Sequence, residues 1–330
     1  MRQLSIVLTS FVFACTSMHN KATPGDADTD DGGKTDDGSS DGGHRVTRPD
    51  GAWRIPIALA HSIQNPCFSP DGSQLAVTQW IGGYNEPPAV VAVVATTGGT
   101  AHAITPASAV SVNLPGSCWR ADRITYSSDP FDDEIYTNNA AGTDARRVTN
   151  RASSVGYEPA YSPDGAWIVF ESHPLDVEDH GAIYKVRADG TQLTPLTDGS
   201  GDDRQPNWSP AGDLILFQSH ARTTGDIDLW VMNSNGTGIR NVTHSPQSED
   251  TDASFSPDGT RIVYSSNYGG LDHANLFVIG VAGGTPTRVT TANGYDGAPT
   301  WSPDGSTIAF ESSPTDPDGT QTEIWAIDAP

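Results

Sequence analysis

Between Trp53 and Asp328 the chain is written in short apolar runs, each closed by Gly, Pro, Asn or Asp. Stretches such as IDLWVMN at Ile227–Asn233 and EIWAID at Glu323–Asp328 are bounded in this way. No extended segment places apolar residues at helical spacing. The 34 Gly and 24 Pro add turn formers in a number that suits many short strands better than long helices. The predicted class is all-β.

One phrase recurs along the chain. Tyr161–Ser172 reads YSPDGAWIVFES, Trp208–Ser219 reads WSPAGDLILFQS, Phe255–Ser266 reads FSPDGTRIVYSS, and Thr300–Ser312 reads TWSPDGSTIAFES. The Ser of SPDG marks the register at Ser69, Ser162, Ser209, Ser256 and Ser302, and the last three gaps are 47, 47 and 46 residues. The gap from Ser69 to Ser162 is 93, two units long, and CWRADRITYSS at Cys118–Ser128 fills it as a copy whose turn is two residues shorter. Six units of roughly 45 residues follow, a period suited to propeller blades.

Each unit divides into four strands, A to D. In the fourth these are Gln205–Ser209, Asp213–Ser219, Ile227–Asn233 and Ile239–Thr243. Asp-Gly, Asn-Gly and Gly-Gly pairs at the C–D corner supply the positive φ of tight hairpins. Strand D often ends in Thr: Thr105, Thr149, Thr197, Thr243 and Thr290. The sixth unit stops after strand C, whereas WRIPIAL at Trp53–Leu59 precedes the first strand A without a unit of its own. That segment is predicted to close the ring as the missing strand of the last blade.

An aromatic followed by SPDG, an apolar strand and a later LWV-type strand resembles the TolB-like β-propeller repeat. The resemblance covers residues 53–328, essentially all of the folded part, and implies a six-bladed β-propeller of four-stranded antiparallel blades. TolB itself carries an additional N-terminal domain for which the chain leaves no room, so a role other than TolB's own is expected. The aromatics before the register position (Phe68, Trp119, Tyr161, Trp208, Phe255, Trp301) are read as packing between blades, and SPDG as a structural turn.

Net charge is −23, with seven Asp against one Lys in residues 26–43 and 34 acidic against 15 basic side chains in residues 44–330. Such a head repels phosphate backbones, so nucleic acid is not an expected partner. MRQLSIVLTSFVFAC has an apolar run from Leu4 to Ala14, too short to span a bilayer but suited to a signal peptide. Val12-Phe13-Ala14-Cys15 resembles a bacterial lipobox. The expected organisation is a signal peptide at 1–14, a lipidated Cys15 with an acidic tether at 15–45, and the propeller at 46–330. The tether is too polar to bury a core. Thr16 and Ser17 lack the Asp that retains lipoproteins in the inner membrane, which favours the outer membrane.

In a four-stranded meander the B–C and D–A loops share one face, and function is expected where the repeats differ. Asp129, Glu158, His173, Asp203, His220, Asp252 and Asp296 are read as that face, an acidic mouth for a basic peptide or protein surface of the envelope. No cofactor is expected, with a divalent cation such as Ca2+ left open; His173 and His220 would share a metal only if both loops folded inward. Cys67 and Cys118 occupy the same slot of neighbouring units, either as a disulfide or as two buried thiols. No G-x-S-x-G elbow appears in the folded part, and Walker and His-Glu-x-x-His motifs are absent. The leading expectation is a monomeric, membrane-anchored binding scaffold. The alternative is a metal-dependent lyase or hydrolase of an extracellular polymer using His173, His180, His220 or His273.

Overall fold

A computed structural model describes residues 45–330, apart from 60–61, 84, 86, 107–111, 114–116, 129–132, 176, 178–179, 221, 223–225 and 315–320. The signal peptide, Cys15, the tether up to residue 44 and Asp129 lie outside the described residues. The remainder forms one compact unit.

Six antiparallel sheets follow one another along the chain. Blade 4 is representative, with strand A at Asp203–Trp208, B at Leu214–Ser219, C at Asp228–Asn233 and D at Arg240–Asn241. Strand D is only two residues long, shorter than predicted, and the terminal Thr explains why. As strand D peels away, the hydroxyl oxygens of Thr105, Thr149, Thr197, Thr243 and Thr290 accept the strand C amides of Val91, Ile135, Ile183, Leu229 and Leu276 at 2.9–3.1 Å. A side chain thus continues the ladder where the backbone leaves it.

The last blade runs Tyr295–Trp301, Thr307–Ser313 and Glu323–Asp328, with Trp53–Arg54 as its outer strand, Trp53 opposite Ala326. The ring therefore closes as predicted, with a shorter strand than Trp53–Leu59. Pro56 has no amide to donate; beyond it the segment crosses to blade 1, where Ile57 bridges Gly99 in parallel.

The core is divided among the six blade junctions. One apolar cluster joins blades 4 and 5 through Leu216, Leu229, Phe255, Ile262 and Phe277, and five others fill the remaining junctions. Central strands are covered on both faces, so they read as continuous apolar runs. Strand B alternates between neighbours: Tyr264 packs toward blade 4, and Val263 toward blade 6.

The SPDG turns are built alike. Ser69 Oγ donates to Asp71 Oδ1 at 2.7 Å and accepts the Gln74 amide at 2.9 Å, and Ser162, Ser256 and Ser302 repeat the arrangement. In blade 4, where Ala replaces Asp, Ser209 donates to Asp213 instead. Gly72, Gly212, Gly259 and Gly305 back onto Pro303, Pro163, Pro210 and Pro257 of the preceding blade, linking the turns around one face. The clipped turn of blade 2 has no such glycine to lay against Pro70. At that junction Cys67 and Cys118 form a disulfide, with Cα atoms 6.1 Å apart.

Candidate functional site

The innermost strands of blades 1, 3, 4, 5 and 6 carry an irregularity at the same place. Asn65, Glu158, Gln205, Asp252 and Ala298, each four residues before the register position, have φ between 44° and 53°. Register between strands A and B slips at each of these sites. Such bulges re-aim a side chain, and non-Gly residues in this region are strained. Gln205 lies within reach of both neighbouring bulges, donating to Glu158 Oε1 at 3.1 Å and Asp252 Oδ1 at 2.8 Å while accepting the Asp252 amide. One side chain touching three consecutive blades places this tier at the axis.

Below it the ring narrows. Two residues nearer the SPDG turns stand Cys67, Cys118, Ala160, Asn207, Ser254 and Thr300, all small or short and all buried. Ser117 of blade 2 bonds Asn207 of blade 4 at this level. The floor thus lies toward the turn face, and the polar tier stands on the loop side of it.

A second set of residues reaches the tier from strand B, nine residues after the register position. In blade 6 this is Glu311, whose Oε2 accepts the Asn65 amide of blade 1 at 2.9 Å and whose Oε1 accepts the Tyr295 hydroxyl at 3.1 Å. Glu171 and Gln218 fill the slot in blades 3 and 4. Blades 1, 2 and 5 have the shorter Thr78, Ser127 and Ser265, whose buried hydroxyls have no hydrogen-bond partner among the described residues.

Four carboxyls share this tier, Glu158, Glu171 and Glu311 buried and Asp252 partly so. Burial raises Glu158, and nearby Asp252 adds to it against the Gln205 hydrogen bond and Arg204. Burial also drives Glu171 well up, reinforced by Glu158 and Asp202 and opposed by Arg204. Asp252 is raised by burial against its bonds from Gln205 and Thr251, and Glu311 is pushed up to about 8, mainly by burial. These groups hold protons where an ordinary carboxyl has lost them.

The sequence-predicted residues part into separate groups, correcting the single open mouth. Glu158 and Asp252 belong to the axial tier. Asp203 and Asp296 instead stand at the first and second residues of their strands A, fully buried, and each is already paired with an arginine. Arg222 makes a two-point bond to Asp203 at 2.8 and 2.7 Å, and Arg48 does the same to Asp296 at 2.8 and 3.1 Å. The predicted D–A loops are strand because the register between A and B resumes above each bulge. His173 is buried against the Tyr157 ring, centroids 5.6 Å apart, with Nδ1 bonded to the Pro174 carbonyl. His220 is largely exposed, its Nδ1 3.9 Å from Asp202. Among the described residues no three His, Cys, Asp or Glu side chains converge to hold a metal ion.

Sequence reasoning passed over Glu171, Gln205, Gln218 and Glu311. The available signal was a Glu or Gln at one fixed position of otherwise apolar strands: VFES, LFQS, AFES.

Fold and site together define a six-bladed propeller with a polar, carboxyl-rich axial tier. The TolB beta propeller domain family matches residues 60–223 and 219–316, and the chain belongs to that family. An uncharacterized protein of Agrobacterium fabrum is 26% identical over 210 residues, covering 60% of this chain and 67% of that protein. A TolB homolog of Chlorobium luteolum is 30% identical over 133 residues, 40% of this chain but only 28% of its own length. Among solved structures, a gluconolactonase of Xanthomonas campestris superposes with a TM-score of 0.62 at 14% identity, covering 87% of this chain and 94% of the other. At that identity the likeness is one of fold.

Proposed function

We propose that the protein is a binding scaffold of the cell envelope, whose loop face and axial funnel receive a basic protein or peptide segment. The observation that carries this reading is the axial tier itself. Glu158, Glu171 and Glu311 are buried beside the partly buried Asp252, and three hydroxyls at equivalent positions lack partners. Buried polar groups are ordinarily satisfied, and the cost of exceptions falls when a ligand supplies the missing bonds. A cationic segment entering the funnel would ionise the carboxyls and give the hydroxyls an acceptor or donor.

Envelope placement rests on the lipobox-like Val12–Cys15, with lipidation at Cys15 and outer-membrane attachment as parts of the same proposal. Cys15→Ala is expected to abolish incorporation of labelled fatty acid and release the protein into the soluble fraction; unchanged membrane partition would reject the anchor. For the binding site, the informative variant is Glu158→Gln with Asp252→Asn and Glu311→Gln, leaving the arginine-paired Asp203 and Asp296 intact. Cross-linked capture from envelopes should lose the partner in this variant with no fall in melting temperature. Equal capture by both proteins would remove the funnel from the binding face.

A further inference from the structure

Blades 3, 4 and 6 share a device at their junction with the preceding blade. An aromatic eight residues after the register position on strand B faces a second aromatic on strand C, and an arginine lies over both. In blade 6 these are Phe310, Trp325 and Arg48, the guanidinium 5.4 and 5.1 Å from the ring centroids. In blade 4 they are Phe217, Trp230 and Arg222, both distances 5.9 Å. In blade 3 they are Phe170, Tyr184 and Arg151, at 5.0 and 5.7 Å. In blades 4 and 6 the arginine bonds an Asp near the start of strand A, which stands opposite Ser219 or Ser312. Blade 3 has Gly156 there, where a Cβ would come within 2.8 Å of the Arg151 guanidinium.

Blade 5 has every part of this device except the arginine. Asp250 starts strand A, opposite Ser266, whose hydroxyl donates to its Oδ1 at 2.5 Å. Tyr264 and Phe277 are the aromatic pair, centroids 6.1 Å apart. Where blade 3 draws Arg151, two residues after Thr149, blade 5 has Ser245, two residues after Thr243. The equivalence extends to the backbone, since the amide of Arg151 bonds Glu134 and that of Ser245 bonds Asp228. Where blade 4 draws Arg222, thirteen residues after its register position, blade 5 has Gly269. No arginine of the chain reaches Asp250 among the described residues.

The polar atoms around this place are left over. Asp250 Oδ2 and the Tyr264 hydroxyl are buried, their residues 0% exposed, and neither has a hydrogen-bond partner. Burial raises the Asp250 carboxyl to about 6 against the nearby hydroxyls of Ser266, Thr243 and Ser245, and neither Thr243 nor Ser245 bonds Oδ2. Tyr268, 38% exposed, leans edge-on against Phe277 with centroids 5.8 Å apart, on the side open to solvent. It leads into Gly269 and Gly270, whose surroundings are empty within 4 Å of a would-be Cβ. Displacing this ring therefore disturbs little packing.

We propose that the junction of blades 4 and 5 is a receptor for an arginine side chain of the bound partner, with the guanidinium on Asp250 Oδ2 and over Tyr264 and Phe277. A planar fork matches a carboxylate in two-point contact and stacks on aromatic faces, which a lysine ammonium does less well. The inference rests on the scaffold reading and deepens it by naming one anchor of the partner.

The test is isothermal titration of the full chain with three blocked pentapeptides, Gly-Gly-Arg-Gly-Gly and its lysine and citrulline counterparts. The arginine peptide should bind saturably, the citrulline peptide at least about tenfold more weakly, and Asp250→Asn should weaken the arginine peptide by a similar factor. Ser245→Arg, which places an arginine where blade 3 has one, should abolish binding and raise the melting temperature. It serves as a second probe should Asp250→Asn fold poorly. Equal binding of arginine and citrulline peptides, binding unchanged in both variants, or no binding by the wild type would overturn the receptor. The funnel variant separates the two proposals. Binding lost there but kept in Asp250→Asn rejects the junction site and leaves the funnel standing; the reverse pattern favours the junction alone.

Discussion

Two tiers of carboxylates, two positions apart in the repeat, stand on the innermost strands of different blades and meet opposite fates. Asp203 and Asp296, above the bulge, are fully buried, and each is gripped by an arginine through two bonds. Glu158 and Asp252, at the bulge, share the axis with Glu171 and Glu311, and the cation beside them is Arg204, itself bonded to Asp202 at 3.0 Å. An acidic residue in a loop-facing position is therefore no guide to a binding site. What distinguishes the sites is whether the fold has already supplied the counter-charge. In the upper tier the carboxylate serves blade packing; in the lower tier burial makes the carboxyls keep their protons to higher pH than usual.

Removing a partner from the upper tier should have the largest effect. Arg48→Ala leaves Asp296 buried and unpaired, and is expected to cost about 3–5 kcal/mol in urea unfolding at neutral pH. A loss below about 1 kcal/mol would mean the pair is solvated in solution and the two tiers do not differ as described. Next comes the floor beneath both. Replacing Cys67 and Cys118 by Ser, which opens a link across 51 residues of sequence, should cost about 2–4 kcal/mol. No change on reduction would indicate that the floor is held by packing alone.

The lower tier should reveal itself through pH. Glu311 binds its proton up to about 8 in the folded state against an ordinary value of 4.5. Between those values the unfolded chain has released the proton and the folded one has not, so stability falls as pH rises. That contribution is full below about 4.5 and gone above about 8. The melting temperature should therefore decline between pH 5 and 8, and Glu311→Gln should flatten the decline. A flat wild-type profile would place an unseen counter-charge in the lower tier. The opposite sign holds for the SPDG aspartates. Asp71, Asp258 and Asp304 sit near about 2 because of their serine and amide hydrogen bonds, so what they contribute is lost only in acid. The smallest effect is expected at the incomplete device of blade 5. Tyr264→Phe removes an unpaired buried hydroxyl and should stabilise by about 1 kcal/mol, whereas a loss would show that the hydroxyl has a partner in solution.

The repeats made most of the fold legible. Six register positions, one of them clipped, and two leftover strand segments were enough to infer six blades and their closure. The binding face was legible only in outline. Period-2 patterning cannot say which polar residue of a doubly buried strand points along the axis, and the bulge that turns Glu158, Gln205 and Asp252 inward is a backbone feature with no fixed residue type. Nor could spacing pair Arg48 with Asp296, which lie 248 residues apart and meet only because the ring closes.

By itself, then, the sequence determined the blade, its number and its turn chemistry, because these depend on local propensity and on a short alternation repeated many times. Which carboxylates are neutralised, which hydroxyls are left over and which junction lacks its arginine were decided only by the tertiary structure. Each of these depends on side chains that distant segments bring into low-dielectric contact, where the presence or absence of one guanidinium outweighs any local preference.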